Sequence, residues 1–483
     1  MPTSLQHASL LVGALTLLCI MPIALGAGRG PFRAMFAANP PAYAQRTGVD
    51  PGQPLFLTPY IEKGQIKEGQ RLSLVGKLNG TGVKSYSGFL TVNKEYNSNM
   101  FFWFFPSQSN SDNAPLLLWL QGGPGGTSMF GLFVEHGPFS VTKELKLLPR
   151  KFSWTAKYSV LYIDNPVGTG FSFTRNDQGY VRNETAVATD LYSALVQFYQ
   201  LFPQYQKNAF YATGESYAGK YVPALSYLIH VENPAAKIKI NFKGMAIGDG
   251  FTAPVKLIPG YGAFMVQTGQ ADFLQKAQID KFTADIVALI ETKEWEAAAE
   301  IMDLLINSDT DSYFRNITGC TDYYNYMRTN IPADEGYFNN YLALPEVRKA
   351  IHVGNLTFNN GDKVSDHLRV DFMQSVEEAV VLLADAGYKI LFYNGQLDVI
   401  VAAPLTEAFL DQLEWIGSSD YLFADKKIWK VPGDVEVAGY AKKALNLQQV
   451  IVRGGGHILP YDQPRRCFDM IDRFISGRPF DHN

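Results

Sequence analysis

The stretch Gly214-Glu215-Ser216-Tyr217-Ala218-Gly219 decides how this chain folds. Small residues stand on both sides of a serine. An apolar run, Ala209-Phe-Tyr-Ala, comes before it, and a helical pattern over 217–230 follows. A serine on a sharp strand-to-helix bend needs this arrangement, because its backbone is strained and the strand and helix approach closely. The bend lifts the hydroxyl to the C-terminal edge of a sheet and to a helix N-terminus. The pattern is G-x-S-x-A-G, a nucleophile elbow whose last glycine is displaced by one. Alone, such a hexapeptide also suits a plain tight turn, so its surroundings must carry the reading.

Working outward, short apolar runs end in glycine-rich or acidic turns. Leu116-Leu-Leu-Trp-Leu precedes Gly122-Gly-Pro-Gly-Gly, and Val160-Leu-Tyr-Ile precedes Asp164. Ile390-Leu-Phe-Tyr precedes Asn394-Gly, and Val450-Ile-Val precedes Arg453-Gly-Gly-Gly. Continuous apolar strands are buried on both faces, as in a parallel sheet covered by helices. Helical patterns over 183–201, 217–230 and 372–386 separate the runs and give an α/β class. Residues 87–105 alternate in pieces and read as paired strands. Residues 251–340 break the rhythm: segments 279–290 and 295–306 are helix-like and no strand is evident, so this region is expected to be a helical insertion above the sheet.

Chain order then selects partners for the serine. After a nucleophile elbow, the acid and the base follow in the order Ser, Asp or Glu, His. Asp398 stands just past the strand Ile390-Leu-Phe-Tyr. Of seven histidines, only His457 and His482 lie beyond it, and His482 is one residue from the end. His457 follows a strand within Gly454-Gly-Gly-His, a loop able to reach another strand. His457 is expected to take the Ser216 proton and return it to the leaving group, with Asp398 orienting the imidazole. The oxyanion needs fixed N–H donors, expected from the amide of Tyr217 and from the Gly122-Gly123 turn. Glu215 is expected at the rim of the site. For Glu135 an ordinary solvated carboxylate is the plainer reading; if both glutamates reach one spot, they would share a proton.

At these residues the chain resembles the serine carboxypeptidase family. The resemblance rests on Trp119-Leu-Gln-Gly-Gly-Pro-Gly-Gly, on Gly214-Glu-Ser-Tyr-Ala-Gly-Lys-Tyr-Val-Pro and on Gly455-Gly-His-Ile-Leu-Pro-Tyr-Asp-Gln-Pro. Tyr86-Ser-Gly-Phe-Leu-Thr-Val and Ile163-Asp-Asn-Pro-Val-Gly-Thr-Gly-Phe-Ser add to it. It runs from about residue 70 to the end and is nearest to the vitellogenic-like branch. It implies an α/β-hydrolase fold, a mostly parallel central sheet flanked by helices, with core parts at 61–250 and 341–483 and a helical cap at 251–340. It also implies removal of C-terminal residues from peptides at acidic pH, with no cofactor. The resemblance assigns oxyanion donation to the amides of Gly123 and Tyr217, and binding of the substrate's terminal carboxylate to Gln121, Gly122, Glu135 and Glu215. Two departures stand out. Gln121 replaces an asparagine, and its extra methylene moves the amide. Gly126 replaces a cysteine that the family bridges to its insertion, which leaves Cys320 either unpaired or paired with Cys467.

The rest of the chain bounds the setting. The 483 residues are 47% hydrophobic and 18% charged, an ordinary globular balance. Forty-two Lys and Arg against 46 Asp and Glu give a net charge of −4, and no basic stripe exists, so nucleic acid is not an expected partner. No His-Glu-x-x-His or His-x-x-Glu spacing occurs, and no metal site is expected. Residues 1–26 contain no Lys, Arg, Asp or Glu and read as a cleaved signal peptide, with no stable membrane span. Residues 27–60 read as an arm or a removable pro-segment. Sequons at Asn79, Asn183, Asn316 and Asn355 fit a secretory route to a lysosome or endosome, the ER lumen or the outside. The expected partner is a peptide with a free C-terminus; a homodimer stays open. The same triad would also serve an acyltransferase or esterase, and a non-catalytic lumenal binding protein is the third alternative.

Overall fold

A computed structural model describes residues 48–78, 82–307 and 311–481. The predicted signal peptide, most of the arm and Asn79 lie outside these. Ten strands form one sheet: β1 (Tyr86–Asn93), β2 (Ser98–Phe105), β3 (Leu116–Leu120), β4 (Ser159–Ile163), β5 (Phe210–Glu215), β6 (Phe242–Gly248), β7 (Lys389–Gly395), β8 (Lys427–Trp429), β9 (Gly439–Ala444) and β10 (Leu447–Val452). Their spatial order is β1-β2-β4-β3-β5-β6-β7-β10-β9-β8. The six central strands, β4 to β10 in that order, pair in parallel, while both flanks pair antiparallel. This is the mostly parallel sheet of an α/β-hydrolase.

The apolar runs found in the sequence are these central strands, and β3 and β4 are buried at every position. Strand β6 was not foreseen. Its exposed Lys243 and the glycine Gly244 interrupt the apolar run, and only the stretch after Lys243 is continuously buried. Helices α1 (Glu184–Leu201) and α2 (Ala218–Glu232) follow β4 and β5 and cover the sheet. Between β6 and β7 the described chain is helical apart from the two-residue strand Asn359–Asn360. Its longest pieces are α3 (Phe273–Glu291) and α4 (Trp295–Ile306). Helix α3 opens with a capping box in which Asp272 and Gln275 satisfy each other's backbone amides.

The end of the 27–60 stretch packs on the core: Leu57 is fully buried, its amide donates to Phe89 O at 2.9 Å, and a helix starts at Thr58. The pairing left open for Cys320 and Cys467 is not made. Both are free, Cys467 buried within α5 (Pro464–Ser476) and Cys320 partly exposed in the insertion.

Leu57 joins the segment before β1 to the sheet, so Leu57→Ala should cost about 2–5 kcal/mol, the usual range for such a core cavity. Thermal unfolding of the variant would measure it. An unchanged midpoint would mean the segment merely lies on the surface.

Candidate active site

Four parallel strands, β3, β5, β6 and β7, end along one edge, and each delivers a side chain or a turn to the same place. Ser216 follows β5 with φ +61°, a left-handed conformation that a non-glycine residue holds only under constraint. Its amide donates to Gly248 O at 2.9 Å, and its carbonyl accepts from Gly219 N (2.9 Å) and Phe251 N (3.0 Å). Two glycines make room for the bend. A Cβ on Gly214 would lie 2.5 Å from Leu120 O, and one on Gly122 would lie 2.6 Å from both Ser216 Cβ and Tyr217 N. The turn after β3, with Gly123, therefore rests directly against the serine.

Asp398 follows β7, and its Oδ2 meets His457 Nδ1 at 2.8 Å. Two backbone amides, Ile400 N to Oδ1 (2.9 Å) and Val401 N to Oδ2 (3.3 Å), complete the carboxylate's partners. That contact makes Nδ1 the donor and leaves Nε2 to act as acceptor. Ser216 Oγ and His457 Nε2 are buried and each lacks a hydrogen-bond partner. Their mutual contact is unformed in this state, as often happens before substrate binds.

A strap from the insertion holds the loops that carry Asp398 and His457. His457 N donates to Tyr324 O at 2.6 Å, Val399 N to Tyr323 O at 3.2 Å, and Tyr326 N to Leu397 O at 2.9 Å. The Tyr324 ring lies 5.2 Å from the imidazole. No local pattern announces this strap, because its main-chain bonds span 70 residues or more.

Glu215, expected at the rim, is fully buried. Its Oε1 accepts from Gln121 Nε2 at 2.5 Å, while Gln121 Oε1 accepts from the indole N–H of Trp119 at 2.8 Å. Since an indole can only donate, the Gln121 amide has one orientation, with its NH2 toward Glu215. The Gln121 side chain thus keeps one defined pose. Glu135 ends a π-helical turn, Gly131–Glu135, and is also fully buried, not solvated. Neither of its oxygens meets a nitrogen or hydroxyl donor; it faces the Glu215 carboxyl and the Gln121 amide. Burial pushes Glu135 up to about 8, opposed in part by Glu215, Gln121 and Arg150. Glu215 rises well above its ordinary value through burial and then the charge of Glu135. The two acids therefore hold at least one proton between them at neutral pH.

Further groups escaped the sequence reading. Asp249, just past the unforeseen β6, lies behind Asp398, and ligand atoms of Asp249, Asp398 and His457 fall within 4.8 Å of one another. Behind Tyr217, a buried pair of Lys220 and Asp371 accepts the phenol, whose O–H donates to Asp371 Oδ2 at 3.3 Å. Of the sequons, Asn183, Asn316 and Asn355 are exposed. Asn183 uses only its carbonyl, capping Ala186 N of α1 at 2.9 Å, and leaves its NH2 outward.

Comparison with known proteins gives a consistent answer. A family model described as serine carboxypeptidase matches residues 77–477. Probable serine carboxypeptidase CPVL of Homo sapiens is 55% identical over 456 residues, covering 94% of this chain and 96% of that protein. Venom serine carboxypeptidase of Apis mellifera is 48% identical over 438 residues (89% and 92%), and vitellogenic carboxypeptidase of Aedes aegypti is 42% identical over 450 (92% and 94%). Among solved structures, a prohormone-processing carboxypeptidase from Saccharomyces cerevisiae shares the fold with a TM-score of 0.69 at 22% identity, covering 84% of this chain and 96% of that one. The chain belongs to the serine carboxypeptidase family.

Proposed function

We propose that this protein is a serine-type carboxypeptidase that releases C-terminal residues from peptides through an acyl-enzyme on Ser216, favoured at acidic pH. The observation that carries the reading is the Gln121–Glu215–Glu135 cluster beside the nucleophile. Two buried carboxyls raised by burial and by each other retain a proton, and a protonated carboxyl donates to a carboxylate. An ester or amide substrate has no use for such a clamp, whereas a peptide's terminal carboxylate does.

Each residue then has a task. Gln121, Glu135, Glu215 and the backbone at Gly122 hold the terminal carboxylate and set the scissile carbonyl over Ser216. His457 Nε2 takes the Ser216 proton as Oγ attacks the carbonyl carbon, and Asp398 steadies the charged imidazole. The amides of Gly123 and Tyr217 receive the oxyanion. His457 passes the proton to the leaving nitrogen, which departs as the free C-terminal residue. Water then repeats the sequence and returns Ser216. We assign the protein to the secretory route, lysosomal, lumenal or secreted, on the predicted signal peptide and on the exposed sequon asparagines Asn183, Asn316 and Asn355.

The decisive assay compares a blocked dipeptide bearing a free C-terminal carboxylate with its amide and its ester, from acidic to neutral pH. Wild type should prefer the free acid at low pH, and Ser216→Ala should abolish turnover. Activity confined to the ester would point to an acyltransferase or esterase, and binding without turnover to a lumenal binding protein. Glu215→Ala, which removes the donor, should raise KM for the free acid by about 10–100-fold, the worth of a charge-assisted hydrogen bond, while leaving kcat on the ester near wild type. Equal losses on both substrates would refute the clamp.

Stability should report the same protons. Glu135 stands at about 8 in the folded chain against an ordinary 4.5, so the folded state holds a proton across that window which the unfolded state has released. Stability is therefore full below pH 4.5 and falls as pH rises toward 8. Thermal unfolding across that range should show the decline, and Glu135→Gln should flatten it. A melting temperature that rises with pH in wild type would contradict the shared proton.

A further inference from the structure

The clamp and the triad make opposing demands. The clamp needs protons and so favours acid, yet His457 must be unprotonated to act as a base. Each negative charge near the imidazole raises its proton affinity and worsens the conflict. Asp249 and Asp398 are both fully buried against His457, and neither is ion-paired to lysine or arginine among the described residues.

The hydrogen bonds distinguish the two acids. Asp398 uses both oxygens as acceptors, for two amides and for His457 Nδ1, the pattern of an ionised carboxylate. Asp249 accepts on Oδ1 only, from Gly395 N at 2.9 Å and Asn394 Nδ2 at 3.4 Å. Its Oδ2 meets no nitrogen or hydroxyl donor and faces the Asp398 carboxyl. The other titratable groups facing Asp249 are Glu215, Tyr393 and Cys467, while Tyr261 faces Asp398. All are acids, phenols or a thiol, and none supplies a positive charge.

We propose that Asp249 is a positioning residue that keeps its proton through the reaction and donates it from Oδ2 to Asp398, so that the two carboxyls present a single negative charge to His457. The proposal rests on the peptidase reading and deepens it, for it explains how a His base works at the pH the clamp requires. Burial, and next the charge of Asp398, push Asp249 well above its ordinary value, in keeping with a retained proton. The backbone does not require an acid here. Asp249 has φ +44°, and asparagine enters that region as readily as aspartate.

Asp249→Asn preserves both shape and donor and is the discriminating variant. Infrared difference spectra of full-length wild type against Asp249→Asn, at the acidic optimum, should show loss of one protonated-carboxyl C=O stretch. Loss of a carboxylate stretch instead would overturn the proposal. With an ester lacking the terminal carboxylate, so that the clamp is silent, the acid limb of kcat/KM should coincide in wild type and Asp249→Asn. Were Asp249 ionised, its removal would shift that limb down by about one pH unit or more. Asp249→Ala, which removes the donor, should lower kcat on the ester about tenfold with little change in KM, and asparagine should rescue it. A wild type inert toward ester and peptide alike would sink the peptidase reading, while the infrared comparison would still decide where the proton is.

Discussion

Ser216 keeps its left-handed backbone because the ends of several strands converge on it. The carbonyl of Gly248 at the end of β6 takes its amide, the turn after β3 presses a side-chain-free Gly122 against its Cβ, and Gly219 and Phe251 hold its carbonyl. A strained residue of this kind costs about 1–3 kcal/mol and persists only where its surroundings over-determine it. The rest of the site follows from that convergence. The strand ends that fix the serine also carry Gln121, Glu215 and Asp249, so holding Ser216 and assembling these acids are one structural event.

Electrostatics form the second layer. Four carboxyls are buried here, Glu135 facing Glu215, and Asp249 beside Asp398 and His457. Such a set is tolerable only if most members stay neutral, since an isolated buried carboxylate is costly. Arg150 is the one cation whose charge is felt at Glu135, and it stands off from the pair, spending its hydrogen bonds on Phe133 O and Gly137 O. Protons shared between neighbouring carboxyls, and not paired cations, are what make so many buried acids tolerable here.

Much of this was legible in the chain itself. The elbow hexapeptide, the apolar runs of β3, β4, β5, β7 and β10, and the chain order Ser216, Asp398, His457 are local patterns, and the structure brings the last two into contact. The setting of the acids was less legible. Burial of Glu215 and Glu135 depends on how the π-helical turn and Trp119 pack, which no short window records. Asp249 was hidden behind a strand whose pattern Lys243 and Gly244 obscure. The Tyr323–Tyr326 strap acts through main-chain atoms, to which side-chain identity is nearly indifferent.

The two free cysteines have a consequence of their own. Cys467 is buried inside α5 and Cys320 sits half-covered in the insertion, and nothing covalent ties the insertion to the core among the described residues. The grip of the insertion on the triad is made by main-chain hydrogen bonds such as His457 N to Tyr324 O. Among the described residues the fastenings of these loops are hydrogen bonds and not sulfur bridges, so thiol reductants leave them intact.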